Sequence, residues 1–135
     1  MCLSSIESTQ KPDKKVFRSY KVFRLPFPGT ILYFPFGSLK RRGKFLVEVP
    51  LGKWIRSTPY DAARYTDGFH VFPKLEDAKD YGRSVTYSIV YEIDCRGLVI
   101  SGTQEIIVDG VERLAECSVV KEIKVLTPVY GTYSF

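Results

Sequence analysis

Residues 86–94, TYSIVYEID, carry the clearest hydrophobic pattern in the chain and so limit its fold most strongly. Every second side chain is apolar, and only Val90 interrupts the alternation. The apolar series is Tyr87, Ile89, Tyr91 and Ile93. A period of two is typical of a β-strand with one buried face. The chain is therefore expected to fold around a β-sheet.

The second half of the chain supplies further strand signals. Asp109-Gly110 lies between two apolar runs, which is a strong short-range signal for a β-hairpin. Residues 118–126 alternate again and predict a strand, whereas residues 111–120 fit either a helix or a strand. The CRG triplet at 95–97 predicts a turn that leads into a further short strand.

The first half predicts shorter strands, which proline and glycine separate. Strand-like runs cover residues 15–25, 30–36 and 44–49, and proline cannot donate to a strand ladder while glycine permits turns. Residues 1–14 are polar and are expected to form a flexible N-terminal arm. Residues 15–135 are expected to form a single globular domain, because a chain of 135 residues fits one domain.

Helical spacing is confined to short stretches. Leu75, Ala78 and Lys79, followed by Tyr81, predict a helix over residues 74–82, with Gly82 as its C-terminal stop. The PYDAARY segment at 59–65 could add one helical turn, since proline suits a first helical position. The predicted class is α+β, a mostly antiparallel β-sheet with one or two short helices.

Charge bears on the kind of partner. The net charge of +5 and the isoelectric point near 9.1 favour an anionic partner, although a basic surface also serves solubility alone. Basic residues concentrate in residues 11–24 and 40–56, and the second half of the chain is close to neutral. One basic side of the molecule is therefore expected.

Cysteine spacing and hydropathy bear on the compartment. Cys2, Cys95 and Cys117 are odd in number and form no CxxC pair, so they predict neither a zinc site nor a disulfide framework. No stretch approaches the roughly 18 apolar residues that cross a bilayer, and the N-terminal sequence MCLSSIESTQKPDKK lacks the apolar core of a signal peptide. We expect a soluble cytoplasmic protein without a metal or a membrane partner, and the sequence does not predict its number of subunits.

Two single residues are the strongest candidates for a site. His70, the only histidine, lies in GFHVF and either is buried beside a turn at Gly68 with a hydrogen bond to backbone, or faces a cleft. In a cleft, a neutral imidazole donates or accepts hydrogen bonds near pH 7. Trp54, the only tryptophan, lies between Lys53 and Arg56. It either packs in the core or offers a stacking platform for a base, with cations nearby for a phosphate.

The succession GFHVF, EDAKDY, DCRGLVISGT and AECSVVKEIKVL resembles a recurrent pattern in uncharacterised small proteins of phages and bacteria. In that pattern, a Gly-Phe/Trp-His triplet precedes a short helix, and two or more strands follow. The upstream YKVFRL and GKW segments are also similar to its phage members. The likeness covers about residues 20–126. It implies a small phage or bacterial domain, which would lie in the host cytoplasm if a phage encodes it, and it implies no particular activity.

A more distant resemblance is to ADP-ribosyltransferase-like proteins, in which a histidine near such a turn and aromatic side chains of the sheet surround NAD or another nucleotide. The resemblance implies that His70 contacts a ribose or phosphate. It implies a phosphate contact for Arg18 or Arg24, and a ring contact for Tyr65 or Tyr81.

The SGTQEI segment departs from the arginine-modifying branch of that group. There, a carboxylate stands two positions after Gln or Glu, whereas here Gln104 is directly beside Glu105. No catalytic carboxylate is identified, and NAD is a possible cofactor only under this resemblance.

Three functions are therefore expected as alternatives. The first is a phage-type binding module that captures a small anionic nucleotide-like ligand or a host protein. The second is an ADP-ribosyltransferase-like enzyme that acts on NAD or a nucleotide through His70. The third is a nucleic-acid-binding or structural interaction protein, whose affinity for phosphates would fall as salt rises. The binding face of the first would comprise Arg18, Arg24, Lys53, Trp54, Arg56 and His70, and the basic loop of the third comprises Lys40, Arg41 and Arg42.

Overall fold

A computed structural model describes residues 5–11, 13–24, 50–56, 68–84 and 88–131. These residues form six strands and one helix, and the strands pair antiparallel. In chain order the elements are β1 (Ser5–Thr9), β2 (Phe17–Arg24), β3 (Trp54–Arg56), β4 (Phe69–Val71), α1 (Leu75–Arg83), β5 (Ser88–Val108) and β6 (Val111–Gly131). The described part of the chain is thus mostly antiparallel sheet with one helix. The possible helical turn at 59–65 and the expected strands at 30–36 and 44–49 lie outside the described residues.

A long hairpin of β5 and β6 is the backbone of the sheet. The two strands are 21 residues each, and their pairing runs from Val108 opposite Val111 to Ile89 opposite Gly131. Asp109 and Gly110 connect them with φ angles of 51° and 79°. Two consecutive positive φ angles are what a type I′ turn requires. The hairpin predicted at Asp109-Gly110 is confirmed, and residues 111–120 are strand.

The turn predicted at 95–97 is wrong, because β5 continues through it. Gly97 has a φ of 75° and lies beside a shift of register between Leu98 and Ile100. Such an irregularity bends a strand and increases its twist without ending it. Glycine permits both the positive φ and the close approach of the partner strand, since a Cβ here would lie 3.0 Å from the Cβ of Lys121.

The shorter strands flank the hairpin and curl the sheet. β2 and β1 pair with successive parts of β5, while β3 and β4 pair with β6. The curl brings β2 against β4, where the amides of Tyr20 and Phe72 donate to each other's carbonyls at 2.9 and 2.8 Å. Since β2 belongs to the β5 side and β4 to the β6 side, this bridge closes a ring of four strands. On the enclosed side, Ser19, Lys21 and Phe23 of β2 are buried.

Two apolar clusters fill the molecule. One includes Phe23, Phe69, Ile93 and Ile123, which are completely buried. The other lies beneath α1 and includes Phe72, Ala78, Tyr81 and Val119. Full burial of side chains of this size stabilises by about 1.5–3 kcal/mol each, so the clusters account for why the short strands stay on the hairpin.

The helix α1 confirms the prediction for residues 74–82 to within one residue. Glu76 and Asp77 in its first turn and Arg83 in its last turn complement the helix dipole. The helix continues past the predicted stop at Gly82, which is buried inside it, and ends at Arg83. The Ser84 hydroxyl then donates to the Tyr81 carbonyl at 2.7 Å. None of the described helices is long and apolar enough to cross a membrane.

The polar N-terminal segment is partly in the sheet. A flexible arm is expected over residues 1–14, but Ser5–Thr9 pair with β5 as β1. All five side chains of β1 are exposed, so the sequence carries no apolar pattern for this strand. The backbone of β1, and not its side chains, holds the strand against β5. The two strands lie so close together that a Cβ on Gly102 would lie 2.0 Å from the carbonyl oxygen of Ser5.

Candidate functional site

A row of side chains crosses four strands on one face of the sheet. Arg18 in β2 lies opposite Asp94 in β5, Asp94 lies opposite Lys124 in β6, and Lys124 lies opposite Trp54 in β3. Residues directly opposite each other in antiparallel strands point to the same face. With about 4.8 Å between neighbouring strands, Arg18 and Trp54 are roughly 14 Å apart across the sheet.

A second row runs beside the first. Arg96 in β5 lies opposite Glu122 in β6, which lies opposite Arg56 in β3. Arg96 is two residues beyond Asp94, so both rows belong to the same face. We call this surface the Trp54 face, and it comprises Arg18, Trp54, Arg56, Asp94, Arg96, Glu122 and Lys124.

Trp54 is the aromatic centre of this face. Its side chain is half-buried, and the guanidinium carbon of Arg96 lies 4.0 Å from the centroid of its ring. The Lys124 Nζ lies 5.1 Å from the same centroid. Cations over an aromatic face are attracted by its negative quadrupole, and a guanidinium also stacks on it. The indole thus orients two cations toward solvent.

Carboxylates hold the arginines of the face in place. Arg18 Nε donates to Asp94 Oδ1 at 2.8 Å, and Arg18 also pairs with Glu92. The hydrogen bond with Asp94 is the largest cause of a raised Arg18 pKa, so this exposed side chain stays charged. Arg96 donates from Nε to Glu122. Among the described residues, Arg96 makes no hydrogen bond through its two terminal nitrogens, which leaves them available to a ligand.

A cavity of about 320 Å³ opens beside the second row. Four cations and two carboxylates line it together with Gly97: Lys14, Arg56, Arg96 and Lys121 against Asp13 and Glu122. Its volume is at the lower end of the roughly 300–1,000 Å³ typical of ligand sites. An excess of cations around a cavity of this size suits a small anion.

The sequence-predicted binding residues fall into three groups. Arg18, Trp54 and Arg56 lie together on the Trp54 face, and exposed Lys53 immediately precedes β3. Arg24 ends β2, but its side chain is not among those described. Tyr65 and the basic loop of Lys40, Arg41 and Arg42 lie outside the described residues.

His70 does not lie on the Trp54 face. Its ring is buried in β4, 5% exposed, and the strand places it opposite buried Val119. The ring interacts with the backbone of Gly68, while Nε2 has no hydrogen-bond partner among the described residues. Burial, followed by the charge of Lys21, lowers the pKa of His70 to about 3. The structure thus gives the buried, backbone-bonded histidine rather than one that faces an open cleft, because β4 pairs with β6 and the following residue, Phe72, bridges to Tyr20 of β2.

Tyr81 is also separate from the Trp54 face. It lies in α1 with 8% of its surface exposed and packs on Phe72, with ring centroids 5.4 Å apart. Burial raises the pKa of its hydroxyl above the usual range. Tyr81 therefore belongs to the buried face of α1 and is part of the core.

Lys21 is a buried cation that the sequence analysis counted with the basic surface of residues 11–24. Its side chain is 2% exposed, and Nζ donates to the His70 carbonyl at 2.9 Å. Burial lowers its pKa to about 8. The thiols of Cys95 and Cys117 contribute to its surroundings, and burial raises the pKa of each to about 12, so both stay neutral. Alternation in β2 places Lys21 on the same side as Phe23, which was the available signal.

Sequence reasoning missed Arg96, Lys121 and Lys124 as members of a site. Lys121 and Lys124 lie inside an apolar strand pattern, whereas Arg96 was assigned to a turn. Only the register of β6 against β5 and β3 brings Arg96 and Lys124 to Trp54, and only the cavity lining shows Lys121 beside Arg96.

Comparisons of the chain with models of protein families, with curated proteins and with solved structures give no match. The resemblances to small phage proteins and to ADP-ribosyltransferase-like proteins therefore stay predictions. Within the described ranges, no group of three or more His, Cys, Asp or Glu side chains could hold a metal ion.

Proposed function

We propose that the chain is a binding module for a small anionic, nucleotide-like ligand, and that the Trp54 face holds this ligand. The observation that carries the proposal is that Arg96 both lies over the Trp54 ring and lines a cavity in which cations outnumber carboxylates. This is the first of the functions expected from the sequence, with the binding residues revised.

Each group of the Trp54 face has a part in the proposed binding. Phosphate oxygens bind Arg56, Lys121 and the terminal nitrogens of Arg96, because bidentate guanidinium contacts match phosphate geometry. One face of Trp54 is already covered, so the base stacks on the outer plane of the Arg96 guanidinium. Guanidinium planes serve as stacking surfaces for bases in many complexes. Lys124 adds charge beside the stack.

Fluorescence tests this directly, because Trp54 is the only tryptophan. Titration with AMP, ATP, NAD and inorganic phosphate is expected to change the emission of Trp54, with nucleotides binding more tightly than phosphate. Binding is expected to weaken with added salt, since the surface contacts are ionic.

Two variants locate the site. Arg96→Gln removes a charge-assisted contact, which is worth about 1.5–3 kcal/mol, so we expect affinity to fall by roughly 10-fold to 100-fold. Lys74→Gln is the matched control, since Lys74 is an exposed lysine that pairs with Glu116 at the start of α1. Unchanged affinity in Arg96→Gln, or no change of emission with any of the four ligands, would contradict the proposal.

The other expected functions give distinct outcomes in the same experiment. Turnover of NAD would select the enzyme, although buried His70 is not placed to contact a ligand on the Trp54 face. Tight binding of a random single-stranded oligonucleotide that is lost on neutralising Lys40, Arg41 and Arg42 would select the nucleic-acid-binding protein.

A further inference from the structure

The far end of the hairpin presents a second surface, opposite in character to the Trp54 face. Glu105 lies opposite Leu114, and Ile107 lies opposite Glu112, so these four side chains share one face. Ile106 and Ala115, which alternate with them along the two strands, are buried in the cluster beneath α1. The four therefore point away from α1. We call this surface the tip face.

The tip face combines exposed apolar groups with adjacent carboxyls. Ile107 and Leu114 are 55% and 61% exposed, which is high for side chains of this size on a strand. The neighbouring carboxyl group of Glu112 is the main cause of a raised pKa at Glu105, so the two acidic groups lie close together. Like charges in contact across a sheet are destabilising. A surface that brings cations and an apolar ring would relieve both features.

The chain itself carries such a surface. The Trp54 face offers Arg56, Arg96 and Lys124 around a half-buried indole. Arg96 and Glu105 are nine residues apart on β5, or about 30 Å along an extended strand. Charges that far apart are screened at physiological salt, where the Debye length is about 8 Å. The two faces can meet only between different molecules.

We propose that a second copy of this chain docks on the tip face through its own Trp54 face. Because the two surfaces are different, the contact is heterologous, and a linear assembly keeps one unoccupied face at each end to which a further molecule can add. Such a contact gives a closed ring or an open chain, and in both cases the average mass grows with concentration. It also depends on salt, because complementary charge carries it. The proposal does not rest on the ligand, and the experiment contains none.

Sedimentation velocity of the full chain tests the association. At a protein concentration of about 1 mM, contacts with millimolar dissociation constants are measurable. We expect the average mass to rise with concentration at an ionic strength of about 0.01 M, and to return to that of the monomer at about 1 M, where the Debye length is about 3 Å.

Charge reversal then identifies the two faces. Glu105→Lys with Glu112→Lys reverses the tip face, and Arg56→Glu with Lys124→Glu reverses the Trp54 face. Each double variant alone is expected to be monomeric at low salt. Their mixture is expected to associate, because each has a face that is complementary to one on the other.

A control variant separates the effect of the tip face from the effect of net charge. Glu7→Lys with Glu76→Lys changes the net charge by as much as the tip reversal, on exposed residues that belong to neither face, and should associate as the unaltered chain does. A monomer at every salt and concentration overturns the proposal. So does association that persists in either reversed variant alone, or a mixture that stays monomeric while circular dichroism shows both variants folded.

Discussion

Lys21 and His70 are both buried, and the charge of Lys21 makes the His70 ring harder to protonate. The Lys21 ammonium donates to the His70 carbonyl at 2.9 Å. Burial is the main reason that the pKa of each is lowered, to about 8 for Lys21 and about 3 for His70. The positive charge of Lys21 adds to the shift of His70. At neutral pH the pair therefore holds one buried charge on the amine and a neutral ring.

The neutral ring predicts a loss of stability in acid. Between pH 6.5 and 3 the unfolded chain binds a proton at His70 that the folded chain does not. Stability from this group is present above pH 6.5 and falls as pH approaches 3, by on the order of 4 kcal/mol. Denaturant unfolding from pH 7 to 4 should show the free energy of unfolding falling more steeply than in His70→Gln.

NMR provides a check that needs no variant, because the chain has one histidine. The imidazole signals of the folded protein are expected to stay unchanged down to about pH 4. Titration of those signals near pH 6.5, or parallel stability curves for the two proteins, would contradict the burial argument.

The buried Lys21 amine predicts a change of folding stability at alkaline pH. The unfolded Lys21 keeps its proton up to pH 10.5, whereas the folded one releases it near pH 8. Stability therefore rises by about 3 kcal/mol as pH goes from 8 to 10.5, and it is lost again as pH falls through 8. Lys21→Met should lack this rise in unfolding measurements from pH 7 to 11. Lys74→Met, at an exposed lysine, should keep it; equal profiles for all three proteins would refute the claim.

At the scale of elements, two glycines decide how the long hairpin is shaped. Gly97 and Gly110 both have positive φ, but only Gly97 faces a close neighbour. One bends β5 beside the cavity of the Trp54 face, and the other closes the turn. Sequence reasoning identified the turn at Gly110 because Asp-Gly is a local signal. It mistook Gly97 for a turn, because a bulge differs from a turn only in the partner strand that runs past it.

These glycines form a matched pair for a stability test. Gly110→Ala introduces a residue at positive φ with open space around it, which costs about 1–2 kcal/mol. Gly97→Ala adds to that cost a contact with the Lys121 side chain at 3.0 Å, so it should destabilise more. Thermal or urea unfolding measures both. A loss at Gly97 no greater than at Gly110 would show that the contact relaxes freely.

Gly97→Ala should also act on the proposed site. The residue lines the cavity between Arg96 and Lys121, so a displaced β5 moves two of its cations. Nucleotide affinity is expected to fall in Gly97→Ala and to stay unchanged in Gly110→Ala, as measured by Trp54 fluorescence.

At the scale of the whole molecule, local sequence patterns predicted individual strands and the helix but not how these elements are arranged. Alternation in residues 86–94 and Asp109-Gly110 predicted the hairpin, and Leu75 with Ala78 predicted α1. Strand β1 carries no apolar side chain that is buried, so periodicity could not find it. The meeting of Arg96 with Trp54 depends on registers across three strands, which no local pattern encodes. Burial of His70 likewise follows from the closure of the sheet.

The closed ring of strands predicts the order in which parts of the sheet open and exchange their amide hydrogens under native conditions. The amides of Tyr20 and Phe72 join β2 to β4 inside the ring of strands, so their hydrogen exchange should require global unfolding. β1 is attached by backbone bonds at one edge, with exposed side chains, and should exchange through local opening.

Gly102→Ala would place a Cβ against the Ser5 carbonyl and so release β1 alone. In this variant the amides of β1 should lose protection from exchange, and so should the amide of Gln10, which donates to the Val99 carbonyl at 2.8 Å. The amides of Tyr20 and Phe72 should keep their protection. Equal protection across all these amides would mean that β1 and the closed ring unfold as one unit.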